Sequence, residues 1–417
     1  MRNILLIALG ELSTGELIIA NEFTRNINEE KYRLDILIPR KRLGLIETYK
    51  KGKKYFLTDE NSWKENREIV KKIFENNKYE LIIFFDVYTF EYAQKWTGID
   101  IDFMINLNIP LASIDEYNYL SSDFKIDYYG LIVKKLPNLI DRMGFILRNC
   151  PLSMPSDQKR NPKEHFYQVL PENENCIKNI MTTREKHAVK DEKLVFFTLS
   201  DWELNGAYSF VNHRFLMDSL LPIIYGYLKD TNLKIHLIHV GANKWNFLKA
   251  QNENVRYTYF SGLPIEEFES LLAASDLYIT YNLVSITLTK AIEFGVPSVV
   301  LNNDKILDFN KFKTKLKEKP LWYQKIANHI GIVYPFTASM FGWYYFLKPV
   351  MKNNIYMDTF YRLQTFKTAE VSRVLLDILN SGNSRKEKIQ EYKEKKEMIP
   401  EPEEVLDNIF EEMEKRY

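Results

Sequence analysis

The chain has 417 residues, 45% hydrophobic and 27% charged, which excludes disordered, collagen-like and coiled-coil classes and allows two cores of ordinary domain size. With 57 Lys and Arg against 56 Asp and Glu, the net charge of +1 supplies no basic excess to neutralise phosphates, so nucleic acid is not an expected partner. Cys150 and Cys176 form no CxxC, and the first apolar run carries Arg2 and Glu11. These features read as free thiols in a reducing cytoplasm and a buried first strand, not a signal peptide.

In chain order, "NILLIALG" (Asn3 to Gly10) predicts a strand covered on both faces, and "TGELIIANEFTRNI" a helix. Next come a strand at "YRLDILIP", a helix at "ENREIVKKIFENN", and strands at "YELIIFFDV" and "IPLASIDE". Prolines, Asn and charge then thin the rhythm between about Cys150 and Asp191, which marks a domain boundary. It restarts with a strand at "KLVFFTLS", a helix at "RFLMDSLLPIIYGYLK", strands at "LKIHLIHVG" and "VRYTYFSG", and a helix at "PIEEFESLLAAS". The sequel "LYITYNLVSITLTKAIEFGVPSVVLNN" reads as strand, polar turn, helix, Gly-Val-Pro and strand.

This is βαβ rhythm played twice, with charged helices at the end. The expected organisation is a first Rossmann-like domain over residues 1–179, a linker over 180–192, a second such domain over 193–382, and C-terminal helices over 383–417 packing back toward the first. The six histidines contain no HExxH, and His236 and His239, three apart in a strand, point to opposite faces; neither a metal site nor a cofactor is expected. The uncharged stretch Ile330–Leu347 contains Pro335 and Gly342 and reads as a packed segment, not a membrane span. The basic run Lys311–Lys319 reads first as a solvated segment, with peripheral contact to anionic lipid heads left open.

The segment from Asn254 to Leu301 resembles the C-terminal half of GT-B glycosyltransferases, the group that includes antibiotic glycosyltransferases and the peptidoglycan lipid-linked GlcNAc transferase. The landmarks are Asp276, Ile279 and Thr280 at a strand end, then Ala291, Gly295, Val296 and Pro297. The resemblance implies two Rossmann-like domains facing a central cleft, a nucleotide-sugar donor on the second, and an acceptor of unknown identity on the first. It also implies inverting, metal-independent transfer.

Ligands of open parallel sheets collect at the carboxyl ends of strands, where helix N-termini offer free N–H groups. On that ground Asn282, Ser285, Thr287 and Lys290 are candidate donor ligands, with Ser200 from the loop after "LVFFTLS"; capping of the helix by Ser285 or Thr287 is the alternative. Aligned on Gly-Val-Pro, Asn282, Leu283 and Val284 stand where such transferases carry His-Gly-Gly, and Lys290 stands where they carry an acid. Glu293 is a local i,i+3 partner for that lysine. In "LGELSTGEL", Gly15 and Glu16 match the Gly-His of the family's acceptor side, so Glu16 is the candidate general base and Asp86 a second catalytic acid; Asp115 and Glu116 read as surface acids. Two further readings remain open: a non-catalytic GT-B-like partner or scaffold, and a nucleotide-sugar epimerase or hydrolase.

Overall fold

Strands that are apolar on both faces need a helix layer on each side, and the chain builds two parallel sheets that satisfy this. A computed structural model describes residues 1–10, 15–46, 49–116, 125–128, 132–135, 137–150, 161–169, 180–189, 191–200, 203–204, 211–242, 254–336, 347 and 351–416.

The first lobe runs β1 (Arg2–Ile7), α1 (Gly15–Thr24), β2 (Tyr32–Pro39), β3 (Lys54–Leu57), α2 (Trp63–Asn76), β4 (Leu81–Phe84), α3 (Val87–Tyr92) and β5 (Leu111–Ile114). An antiparallel pair, β6 (Lys125–Tyr128) and β7 (Ile132–Lys135), precedes β8 (Phe145–Cys150) and β9 (Glu164–Gln168). The sheet order is β3-β2-β1-β4-β5-β8-β9, parallel throughout.

The second lobe runs β10 (Lys193–Leu199), α4 (Val211–Asp230), β11 (Ile235–Gly241), β12 (Val255–Phe260), α5 (Ile265–Ala273), β13 (Leu277–Thr280), α6 (Ile286–Glu293) and β14 (Ser298–Asn302). After a short excursion through β15 (Leu307–Asp308), α7 (Lys313–Leu316) and β16 (Ile332–Val333) comes the edge strand β17 (Tyr361–Gln364). Its order is β12-β11-β10-β13-β14-β17, again parallel. In each sheet the order reverses beside the first strand, between β1 and β4 and between β10 and β13. Each sheet therefore opens a crevice at the carboxyl ends of those strands.

Three helices close the chain: α8 (Thr368–Ser381), α9 (Lys386–Glu397) and α10 (Pro402–Arg416). The first two serve the second lobe, through Val371 and Leu375 and through Ile389 and Tyr392. The third crosses over. Its Val405, Leu406, Ile409 and Phe410 join the first lobe's core, and Asp407 accepts from the Tyr32 hydroxyl at 2.5 Å.

The Gly-Val-Pro landmark has a geometric cause. Gly295, at φ +72°, ends α6; its N–H donates to Ile292 O at 2.9 Å, and Val296 N–H donates to Ala291 O at 2.8 Å. This paired closure satisfies the last carbonyls and turns the chain into β14. A Cβ at this position would meet nothing within 4 Å, so Gly295→Ala is expected to carry only the backbone penalty, about 1 kcal/mol of stability, read as a lower melting temperature.

The stretch read as a boundary, Cys150 to Asp191, contains β9, the seventh strand of the first sheet, paired in register with β8 from Ile146↔Glu164 to Cys150↔Gln168. Its alternation was hidden because Arg148 and Glu164, both charged, face each other across the edge of the sheet. The expected opposite placement of the two strand histidines is met: His236 bonds Thr258 Oγ1 at 2.8 Å, while His239 bonds the Tyr257 hydroxyl at 3.0 Å. Most of Ile330–Leu347 lies outside the described residues, as do Cys176 and the proline-rich tract after Cys150. Among the described residues no helix is long and apolar enough to cross a membrane.

Candidate active site

Glu16 stands on the first turn of α1, beside the crevice of the first sheet. Its Oε2 accepts from the Gly10 N–H at 3.0 Å, just past β1. A Cβ on residue 10 would lie 2.6 Å from Glu16 Oε1, so only glycine lets the carboxylate dock there. Asp86 follows β4 at φ 131°, a conformation that L-residues rarely adopt. Its carboxylate accepts from Tyr88 N–H at 2.8 Å and Thr89 Oγ1 at 3.0 Å, and so caps α3. Glu116 follows β5, the next strand along. The strand order 1-4-5 thus gathers three partly buried carboxylates on one edge.

Burial, reinforced by neighbouring charge, shifts all three toward the neutral acid. Burial, then the charge of Asp86, holds Glu16 well above the usual carboxylate range, against opposing hydrogen bonds from Thr89 and Gly10. Burial raises Asp86 to about 6 despite the bonds from Tyr88 and Thr89. Burial, then Asp86 and Asp115, raises Glu116 to about 8. Asp115 itself is paired, its Oδ2 2.8 Å from Arg148 Nη1 with both side chains buried.

A carboxyl whose folded pKa is raised binds its proton more tightly than in the unfolded chain. The stability it contributes is present in full below the ordinary carboxylate range and is lost as pH rises through about 8. Glu116→Gln is therefore expected to flatten the alkaline fall in melting temperature and raise it above pH 8 by about 2–4 °C, read in thermal melts across pH.

The second lobe offers hydroxyls and few charges. Ser200, past β10, gives both its N–H (3.2 Å) and its Oγ–H (2.5 Å) to Glu203 Oε2; Glu203 is buried and is raised to about 7 by that burial. Asp201, Asn205 and Gly206 of the same loop lie outside the described residues. The Tyr278 hydroxyl bonds Thr198 Oγ1 at 2.7 Å and also faces Thr280 and Ser285.

Asn282 is buried and shapes the turn: its N–H donates to Thr280 Oγ1 at 3.0 Å and its Oδ1 accepts from Val284 N–H at 3.0 Å. Leu283 buries its side chain in the core, at the position matched to a glycine. Ser285 occupies the N-cap of α6 without a side-chain cap bond, so the capping alternative fails for it in this arrangement; Thr287 follows on the first turn, partly buried.

Lys290 is committed elsewhere. It pairs with Glu269 of α5 and approaches Glu22 Oε1 of α1 at 3.9 Å, which ties the two lobes together, and the nearby Ile286 packs against the first lobe's core. Its expected local partner, Glu293, is engaged by Lys396 of α9 at 2.7 Å. α6 therefore meets the first lobe, its Lys290 reaching Glu22 on α1, the helix whose first turn carries Glu16. On the second lobe the Tyr356 hydroxyl bonds Thr289 Oγ1 at 3.3 Å, and burial chiefly holds that phenol protonated.

The same two-lobed arrangement appears in solved structures along their full length. One is UGT2 of Phytolacca americana in complex with UDP-2-fluoro-glucose and pterostilbene, at TM-score 0.55 and 12% identity, covering 99% of both chains. The spinosyn rhamnosyltransferase SpnG gives 0.54 at 10% identity over 99% of this chain and 100% of that one. The calicheamicin glycosyltransferase CalG4 gives 0.51 at 11% identity over 98% and 97%. The fold is GT-B. By sequence, a family model described as a family of unknown function, DUF6365, matches residues 23–414. The chain belongs to DUF6365. No curated protein matches its sequence. The DUF6365 chain thus has the two lobes of the GT-B fold, with a carboxylate edge on the first lobe and a hydroxyl-rich turn on the second.

Proposed function

We propose that the chain is an inverting glycosyltransferase that moves a sugar from a nucleotide-activated donor on the second lobe to an acceptor hydroxyl on the first. The supporting observation is the Glu16 carboxylate, docked on the Gly10 N–H at the switch point of the first sheet and carried on α1, whose Glu22 lies 3.9 Å from Lys290 of α6. Glu16 removes the acceptor proton as the oxygen attacks the anomeric carbon, and the bond to the leaving diphosphate breaks in the same step. An acid raised by burial and by like charge is basic enough for this once it has lost its proton. Asp86, held by Thr89, orients the acceptor hydroxyl.

On the donor side, the first-turn N–H groups of α6 and the hydroxyls of Ser285 and Thr287 face the phosphates, with Asn282 shaping the turn and Ser200 bordering it. Lys290 supports the junction between lobes rather than the phosphates, because Glu269 and Glu22 already take its charge. The chemistry requires no metal.

One observation favours a second reading, a GT-B-shaped partner without transfer: Leu283 fills the place where a glycine would give a diphosphate room. A panel of UDP-, TDP- and GDP-sugars separates the two. A transferase is expected to show a rise in melting temperature with one of them, since ligand bound to the folded state stabilises it. No shift with any, and no transfer to a mixed acceptor pool, would leave the partner reading standing.

A further inference from the structure

The excursion between β14 and β16 leaves the second sheet at Asn302, on the carboxyl edge that also carries Thr280, and it divides its apolar residues in two. Leu307, Phe309 and Leu316 pack against the lobe's core and fix the segment in place. Ile306, Phe312 and Leu321 do the opposite: they are 61%, 40% and 73% exposed. Folding of this lobe gives no reason for three large apolar side chains to stand in water along sixteen residues.

The charges around them are mostly of one sign. From Lys305 to Leu321 the sequence carries Lys305, Lys311, Lys313, Lys315, Lys317 and Lys319 against Asp308 and Glu318, in a chain whose net charge is +1. All of these lysines but Lys319 are exposed. Asp308 is half-buried, accepts from the Asn310 N–H at 3.0 Å and offsets one lysine, lying 3.4 Å from the exposed Lys311 Nζ. The two kinds of residue meet at Phe312, where Lys315 Nζ lies 5.6 Å from the centre of the ring.

Exposed apolar side chains ringed by lysines match a surface that is anionic outside and hydrocarbon just beneath. We propose that Lys305–Leu321 is a docking patch for an anionic lipid bilayer, with Phe312 and Leu321 entering the headgroup boundary and the lysines meeting lipid phosphates. A nucleic acid fits less well. It would engage the lysines but leave Ile306 and Leu321 without a partner.

The test is co-sedimentation of the full chain with vesicles of phosphatidylcholine alone and of phosphatidylcholine mixed with phosphatidylglycerol. Binding is expected only to the mixed vesicles and should weaken as salt rises. Replacing Lys313, Lys315 and Lys317 together by Glu should lower the partition about 10²-fold, and Phe312→Ser about tenfold, with the melting temperature unchanged because these side chains are exposed. Equal binding to both vesicle types, or undiminished binding by the charge-reversed chain, would overturn the proposal. Retention on single-stranded RNA without vesicle binding would also overturn it and assign the patch to nucleic acid.

Discussion

Glu16→Gln is expected to lower sugar transfer by about 10²–10⁴-fold while donor binding persists. The amide keeps the shape of the side chain and removes only its capacity to take a proton. The docking geometry adds a second handle. Gly10→Ala drives a Cβ to within 2.6 Å of the carboxylate, so it should reduce turnover by displacing Glu16 without changing the residue itself. If Glu16 only complements the dipole of α1, both variants would instead transfer at the parent rate, and Glu16→Gln would cost about 0.3–1 kcal/mol of stability. Measuring turnover, donor affinity and melting temperature on the same preparations separates the outcomes. The prediction is read against the parent chain with whichever donor the nucleotide-sugar panel identifies.

The largest loss of stability is expected at Arg148. Its guanidinium is 2% exposed and gives Nη1 to Asp115 Oδ2 at 2.8 Å, while Nε and Nη2 go to Glu164 Oε1 at 3.0 and 2.6 Å. One cation thereby stitches β5, β8 and β9 together. Arg148→Met removes it and strands the Asp115 carboxylate, itself 0% exposed, at a cost of about 3–5 kcal/mol. Adding Asp115→Asn removes the stranded charge and should restore a substantial part of the loss. Denaturant melts of parent, single and double variants test this, and a single variant as stable as the parent would contradict it.

Strands buried on both faces were legible as apolar runs: "NILLI", "LIIFF", "LVFFTL" and "LYIT" all lie at sheet centres. The edge strands β3 and β9 were not, because half of such a strand's side chains need no apolar neighbour and its pattern merges with loop composition. The Gly-Val-Pro signal carried α6 and β14 because its cause is local, a helix closure spanning a few residues. Partnerships across long separations were illegible. Lys290 reads naturally with Glu293 on its own helix, yet its partners come from α5 and from the other lobe.

The acids divide in the same way. Glu16 was visible through the family resemblance and Asp86 as a residue just past a strand, whereas Glu116, taken for a surface acid, gains its raised pKa only once folding buries it, beside Asp86 and Asp115. Ser200 was visible, but its engagement by Glu203 depends on how a short loop folds back. Of the donor-side candidates, Asn282 forms the turn itself, accepting from the Val284 N–H.

The crossing of α10 bears on how the chain is made. The first lobe is synthesised first, but Val405, Leu406, Ile409 and Phe410 complete its core, and the bond between Tyr32 and Asp407 spans 375 residues. On the ribosome the α1 side of the first sheet must wait, with part of its apolar surface uncovered, until the second lobe and nearly the whole chain have emerged. Contacts at such separation are slow to form because the intervening loop must close first. A nascent chain halted after β17 would expose that surface and be a client for chaperones, and only completion of the last helix turns the first lobe into a finished body.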